Sequence, residues 1–115
     1  MIRRAYPPDS HGNDPAFDPG CVVRHKRYGY RGVVVEVDVR CQASDTWYQN
    51  NQTQPNREQP WYHVLVDESS GTTYPAQENL DPDLSGEPIK HPWLEAFFSG
   101  FEGGRYIRND QPWPS

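Results

Sequence analysis

Residues able to do chemistry are few and scattered in this chain of 115 residues. The histidines are His11, His25, His63 and His91, and the cysteines are Cys21 and Cys41. On a strand, the spacing of Cys21 and His25 puts both on one face but about 13 Å apart, too far to chelate one ion directly. A zinc site assembled from Cys21, Cys41, His25 and His63 has no CxxC or HxxxH pair behind it. Cysteine–histidine nucleophilic catalysis has its residue types in Cys21, Cys41 and His63 but no local signature. No Walker loop, GxGxxG or GxSxG occurs. The carboxylates gather in turns, where exposed Asp and Glu are ordinary. His63 reads most simply as a strand residue donating to a backbone carbonyl. The expectation is a protein that is not an enzyme, with no cofactor and no metal.

Binding features are better developed. Arg24, Lys26, Arg27 and Arg31 fall within eight residues that contain no acid, interleaved with His25, Tyr28 and Tyr30. Bases beside aromatic rings suit stacking on a nucleobase or gripping a peptide. Trp61 and Tyr62 join this set as rings at a strand end, and the nine residues together form the candidate partner surface. The plainer alternatives are a solvated strand face for the bases and a small β core for the rings. The balance of charge is unfavourable to nucleic acid. The formal net charge is −5, and six acids with no base lie between Asp67 and Glu87. Non-specific affinity for DNA depends on Lys and Arg neutralising phosphates.

The elements that position these residues must be short. Twelve prolines and nine glycines exclude long helices from most of the chain. Four Trp, seven Tyr and four Phe argue equally against disorder throughout. Residues 1–16 are expected to form a mobile arm, residues 17–109 the domain, and residues 110–115 a tail. A first strand is expected from Cys21 to Arg27, with Tyr28, Gly29 and Tyr30 as the turn into a second strand from Arg31 to Asp38. On that strand Val33, Val35 and Val37 would share one face, and Val34, Glu36 and Asp38 the other. The polar stretch from Cys41 to Gln59 reads as a long loop, with a short helix near Ser44 to Gln49 capped by Ser44 or Asp45. Strands follow from Trp61 to Asp67 and from Thr72 to Ala76, then a helical turn from Gln77 to Leu80. His91 and Pro92 open the one substantial helix, whose apolar face carries Leu94, Phe97, Phe98 and Phe101. Arg105 to Arg108 is a last strand. The fold class expected is mainly β, a small SH3-like, partly open β-barrel with one C-terminal helix.

No apolar run reaches ten residues, which excludes a membrane-spanning helix. The N-terminus has no apolar h-region of a signal peptide. A cytoplasmic protein with reduced thiols is expected, or a nuclear one if the source is eukaryotic.

The run from Arg24 to Val34 (RHKRYGYRGVV) resembles a signature segment of the YccV-like family, also called the HspQ family. Gln59 to Asp67 (QPWYHVLVD) looks like its QPWYHVLVD strand, and Tyr74 to Leu80 (YPAQENL) is similar to its YVAQENL turn. Asp38, Cys41 and Trp47 resemble its WDP-C-W region, with Val37 in place of Trp and Val39 in place of Pro. His91, Pro92, Phe97, Phe98 and the run from Arg105 to Ile107 resemble the longer form found in F-box proteins. The resemblance spans Phe17 to Asn109. It implies an SH3-like barrel without catalytic activity, in a family labelled as binding hemimethylated DNA. It also implies heat-shock adaptors of the Lon protease that can form trimers, and domains appended to F-box substrate receptors or to a polymerase-delta-interacting protein. The arm and the C-terminal segment are longer than in the short bacterial members. No F-box helices are present in the chain, so a stand-alone protein or an excised domain is expected. The expected partners are a protein (protease, ligase component or client), hemimethylated DNA, or both.

Overall fold

In a computed structural model, residues 14–51 and 53–114 are described. The expected arm therefore lies mostly outside the described residues. Among the described residues seven strands form, β1 (Val22–His25), β2 (Arg31–Asp38), β3 (Trp61–Val66), β4 (Thr72–Thr73), β5 (Leu80–Pro82), β6 (Phe98–Glu102) and β7 (Arg105–Arg108). Two short α-helices, α1 (Asp45–Gln49) and α2 (Leu94–Phe97), and a 3-10 turn at Gln77–Asn79, where a helical turn was expected, join them. The first five strands make an antiparallel sheet in the order β4-β3-β2-β1-β5, and β6 and β7 make a separate hairpin. The fold is mainly β, as expected. The sheet is not closed into a barrel, because β4 and β5 remain as its two edges.

The β1–β2 hairpin forms in the register Val22↔Val33, Val23↔Gly32, Arg24↔Arg31. Its turn contains Gly29 at φ 78°, a left-handed conformation that glycine adopts without a Cβ clash. Valine at successive positions of β2 buries both faces of the sheet. Val33 and Val35 pack with Val22, Leu65, Ile89, Phe97, Phe98 and Tyr106 under the β6–β7 hairpin. Val34 packs on the opposite face with Phe17, Val23, Tyr62, Val64 and Leu80. Val33, Val34 and Val35 are fully buried, each worth about 1.5–3 kcal/mol relative to exposure.

Two expectations about side-chain facing change. Val37 does not stay with Val33 and Val35, because the β2–β3 register shifts between Val34 and Glu36. The extra residue inverts the alternation, and Val37 packs with the Val34 cluster instead. The C-terminal helix is a single turn. After Phe97 the backbone turns extended at Phe98, with φ −131° and ψ 139°. Phe98 and Phe101 belong to β6, and Gly103 and Gly104, both at positive φ, turn the chain into β7. Gly20 also needs to be glycine, since a Cβ there would collide with the Tyr106 carbonyl.

The stretch from Cys41 to Gln59 is tied down. Ser44 caps α1 by accepting from the Trp47 amide at 3.1 Å. Arg57 donates to the Ala43 carbonyl at 2.6 Å and lies over the Tyr48 ring at 4.9 Å. Cys41, Trp61 and Ala76 form a third buried cluster against Tyr48 and Tyr74. Trp113, expected in a terminal tail, packs on Phe97 with ring centroids 5.3 Å apart. Among the described residues no helix is long and apolar enough to cross a membrane.

Candidate functional site

The nine residues singled out from the sequence do not form one surface. β5 pairs with the outer edge of β1, setting Arg24 opposite Asp81 and His25 opposite Leu80. The acid-only stretch is thereby laid along the basic strip. Arg24 meets Asp83 at 3.4 Å and Lys26 approaches Asp81 at 3.9 Å. Arg31 bridges Asp83 at 3.0 Å and Asp67 at 3.1 Å, and also donates to the Glu87 carbonyl at 2.6 Å. Its side chain is only 16% exposed. Burial alone would raise the Asp83 carboxyl, but the Ser85 hydroxyl, Arg31 and Arg24 outweigh it and hold the pKa below its ordinary value.

His25 is buried and caps the hairpin turn. Its Nδ1 accepts from the amides of Arg27 and Tyr28, both at 3.1 Å. Its ring stacks on Tyr28 at 4.6 Å and lies 5.1 Å from Tyr30. Burial, helped by the Arg27 charge, lowers its pKa, so the acceptor nitrogen stays free of a proton at neutral pH. Arg27 is exposed, with its guanidinium 5.7 Å from the centre of the half-exposed Tyr28 ring. Tyr30 shares a 2.8 Å hydrogen bond with Thr73 of β4.

Trp61 and Tyr62 are interior residues, at 1% and 0% exposure. The Tyr62 hydroxyl accepts from the Ala16 and Phe17 amides and donates to Gln77. It anchors the start of the domain, and burial raises its pKa. Both rings serve mainly as core, where aromatic bulk closes the ends of a small domain, and Trp61 also lines the cleft beside β4.

The open concave surface takes in only part of the nine-residue set, the rings of His25, Tyr28, Tyr30 and Trp61, and not its bases. A cleft of about 450 Å³ runs between the β1–β2 turn and β4, past Tyr28, Tyr30, Thr73 and Tyr74 to Trp47. A second, of about 670 Å³, lies beyond Trp47 and is walled by Glu36, Asp38, His63, Tyr74 and Trp113. Trp47, His63 and Tyr74 line both. The bulged β2–β3 pairing sets Glu36 opposite His63 and Asp38 opposite Trp61. One oxygen of Asp38 accepts from the Tyr74 hydroxyl at 2.6 Å and from His63 Nε2 at 3.1 Å. His63 therefore donates to a carboxylate rather than to the backbone carbonyl expected. Its ring is stacked on Tyr74 at 4.4 Å and tilted against Trp113 at 5.3 Å. Burial first, and the bond to Asp38 second, push the Tyr74 phenol far above its ordinary pKa.

Sequence reasoning missed Trp47, Tyr74, Trp113 and Asp38 as one cluster. The available signal was a tryptophan in a polar loop and another in the terminal segment. Cys21 and Cys41 are free thiols in different core clusters. Among the described residues no group of three or more His, Cys, Asp or Glu side chains is placed to hold a metal ion.

An open antiparallel sheet with aromatic clefts beside one edge defines a small, mainly β domain. The chain belongs to the YccV-like family, described as "Hemimethylated DNA-binding protein YccV like", which it matches over residues 15–105. It is 36% identical over 104 residues to F-box only protein 21 of Homo sapiens, covering 88% of this chain and 16% of that protein. The Mus musculus protein of the same name is 37% identical over 99 residues, covering 84% of this chain and 16% of its own length. The chain thus spans about a sixth of the length of these curated relatives.

Proposed function

We propose that this domain is a non-catalytic adaptor module that holds a polypeptide segment of a partner or client in the cleft between Tyr28, Tyr30, Trp47 and Tyr74. The observation carrying this reading is the contrast in availability. Three of the four bases in the strip face carboxylates, whereas the aromatic cleft is open. The chain's acidic balance favours a protein partner over phosphate. The F-box relatives and the resemblance to Lon adaptors support a place in protein quality control, presenting clients to a Lon-type protease or a ubiquitin ligase. The test is capture of purified protease or ligase components by immobilised protein at micromolar concentration. Capture that falls with Trp47→Ala and survives Arg24→Ala/Lys26→Ala/Arg27→Ala fits the adaptor. No capture of either class overturns it.

The family description favours a second reading, direct binding of hemimethylated DNA through Arg24, Lys26, Arg27 and Arg31. It requires salt-dependent binding that is tighter for a hemimethylated duplex than for its unmethylated twin, and that is lost in the triple alanine variant. Equal binding of the two duplexes, or none at low salt, removes it.

A further inference from the structure

The second cleft has a chemistry of its own. Its rings come from three separate parts of the chain, Trp47 in α1, Tyr74 after β4 and Trp113 near the C-terminus. Trp47 meets Tyr74 edge-on at 5.6 Å, while His63 is stacked on Tyr74 and tilted against Trp113. Two carboxylates share the wall, Glu36 and Asp38, and no Lys or Arg lines it. Aromatic faces carry negative quadrupole potential and attract cations, most strongly when a carboxylate stands nearby and water is partly excluded.

The carboxylates are less closely paired than Asp67 and Asp83, which meet Arg31 at 3.1 and 3.0 Å. The nearest cation to Glu36 among the described residues is Arg108, at 3.9 Å. Its Nη2 is the nitrogen that approaches Glu36, while Nε donates to the Val35 carbonyl at 2.8 Å and Nη1 to the Asn109 carbonyl at 3.0 Å, over the Phe97 ring, so Glu36 is held by a long pair only. The Glu36 side chain is 48% exposed. Asp38 accepts from Tyr74 and His63 on one oxygen, which fixes the carboxylate in the wall. The cleft's volume of about 670 Å³ exceeds that of a guanidinium or a trimethylammonium group, leaving room for the stem of the side chain.

We infer that the cleft between Trp47, Tyr74 and Trp113 receives a cationic side chain, arginine or N-methylated lysine, carried by a partner polypeptide. The proposal rests on the adaptor reading, since Trp47, His63 and Tyr74 join this cleft to the one assigned to the polypeptide. The net charge of −5 draws a cationic partner towards the surface and repels an anionic one.

The test uses acetylated, amidated peptides Ser-Gly-X-Gly-Ser with X as arginine, trimethyllysine or norleucine, followed by the indole N–H resonances of the full chain. The cationic peptides are expected to shift the Trp47 and Trp113 signals and to bind about tenfold more tightly than the norleucine peptide, in line with one desolvated cation–π contact. Glu36→Gln, which keeps the shape of the wall, should reduce that preference at least severalfold. A preference for trimethyllysine identifies a methylated partner, and a preference for arginine an unmodified one; either supports the site. Equal binding of the norleucine peptide, or no indole shift with any peptide at millimolar concentration, overturns it. The adaptor reading is judged separately, by whether the unaltered protein captures protease or ligase components at all.

Discussion

The strip from Arg24 to Arg31 and the cleft around Trp47, Tyr74 and Trp113 are built in opposite ways. The strip is contiguous in sequence and conspicuous by charge, yet β1–β5 pairing brings Asp81 and Asp83 alongside it, and Arg31 is enclosed by two carboxylates and a backbone carbonyl. The cleft is assembled from distant residues with no pattern in sequence, yet it is open and its rings reach solvent. A run of charge marks a place where folding must solve an electrostatic problem. Whether charge remains for a partner depends on what the topology sets opposite it.

The sharpest way to break this contrast is to remove Arg31. If the strip is structural, Arg31→Ala leaves the Asp67 carboxylate without its cation and the enclosed Asp83 with only the longer Arg24 contact, and should cost about 3 kcal/mol in urea unfolding. A loss below 1 kcal/mol would mean that Arg31 is available to a ligand after all. The same pair sets a pH dependence. The folded pKa of Asp83 lies below its ordinary value of 3.8, so its contribution is complete above about 3.8 and is lost as pH falls through the lower folded value. Arg31→Ala should flatten that acid limb.

Tyr62 separates core from surface on the other side. Tyr62→Phe removes the acceptor of the Ala16 and Phe17 amides and should cost about 1–2 kcal/mol, with partner capture unchanged. Capture lost at full stability would return Tyr62 to the partner surface.

The difference between the two regions also explains what was legible in the sequence. Local signals held where the physics is local. Ser44 caps α1, Gly29 takes the left-handed turn, and the valines of β2 make the core. Features set by pairing between distant segments were not legible. The bulge near Val35 exists only once β2 meets β3, and it reverses the facing of Val37. The apolar spacing from Leu94 to Phe101 suited a helix, but Ser99 and Gly100 and the Gly103–Gly104 turn favour a hairpin that covers Val33 and Val35. The neutralised strip and the clustering of Trp47 with Trp113 have the same origin. The residue types were visible, but the neighbours that decide their availability were not.

Trp47→Ala sharpens the comparison from the cleft side. Trp47 is 37% exposed and contributes edge contacts to Trp61 at 6.2 Å and Tyr74 at 5.6 Å, so its loss should cost about 1 kcal/mol. Partner capture should fall by far more, about tenfold or beyond, measured at a temperature where the variant remains folded. A variant that loses stability and capture in equal measure would make Trp47 a packing residue only.

The smallest effect is expected at Lys26, and it tests the strip where it is weakest. Lys26 and Asp81 are 3.9 Å apart, and their side chains are 50% and 61% exposed. An ion pair so open to water gains little Coulomb energy and is screened by salt, so Lys26→Gln should change stability by less than about 0.5 kcal/mol. The contrast with Arg31 in the same strip is the informative quantity. Both residues are basic and both face acids of the same run, but Arg31 is enclosed by close partners whereas Lys26 has one distant, open pair. If Lys26→Gln matches the loss at Arg31, the strip acts as one coupled network and burial is not what separates its members. If it is silent in stability but weakens binding to a duplex at low salt, the outer part of the strip retains charge for a phosphate that the enclosed part has given up.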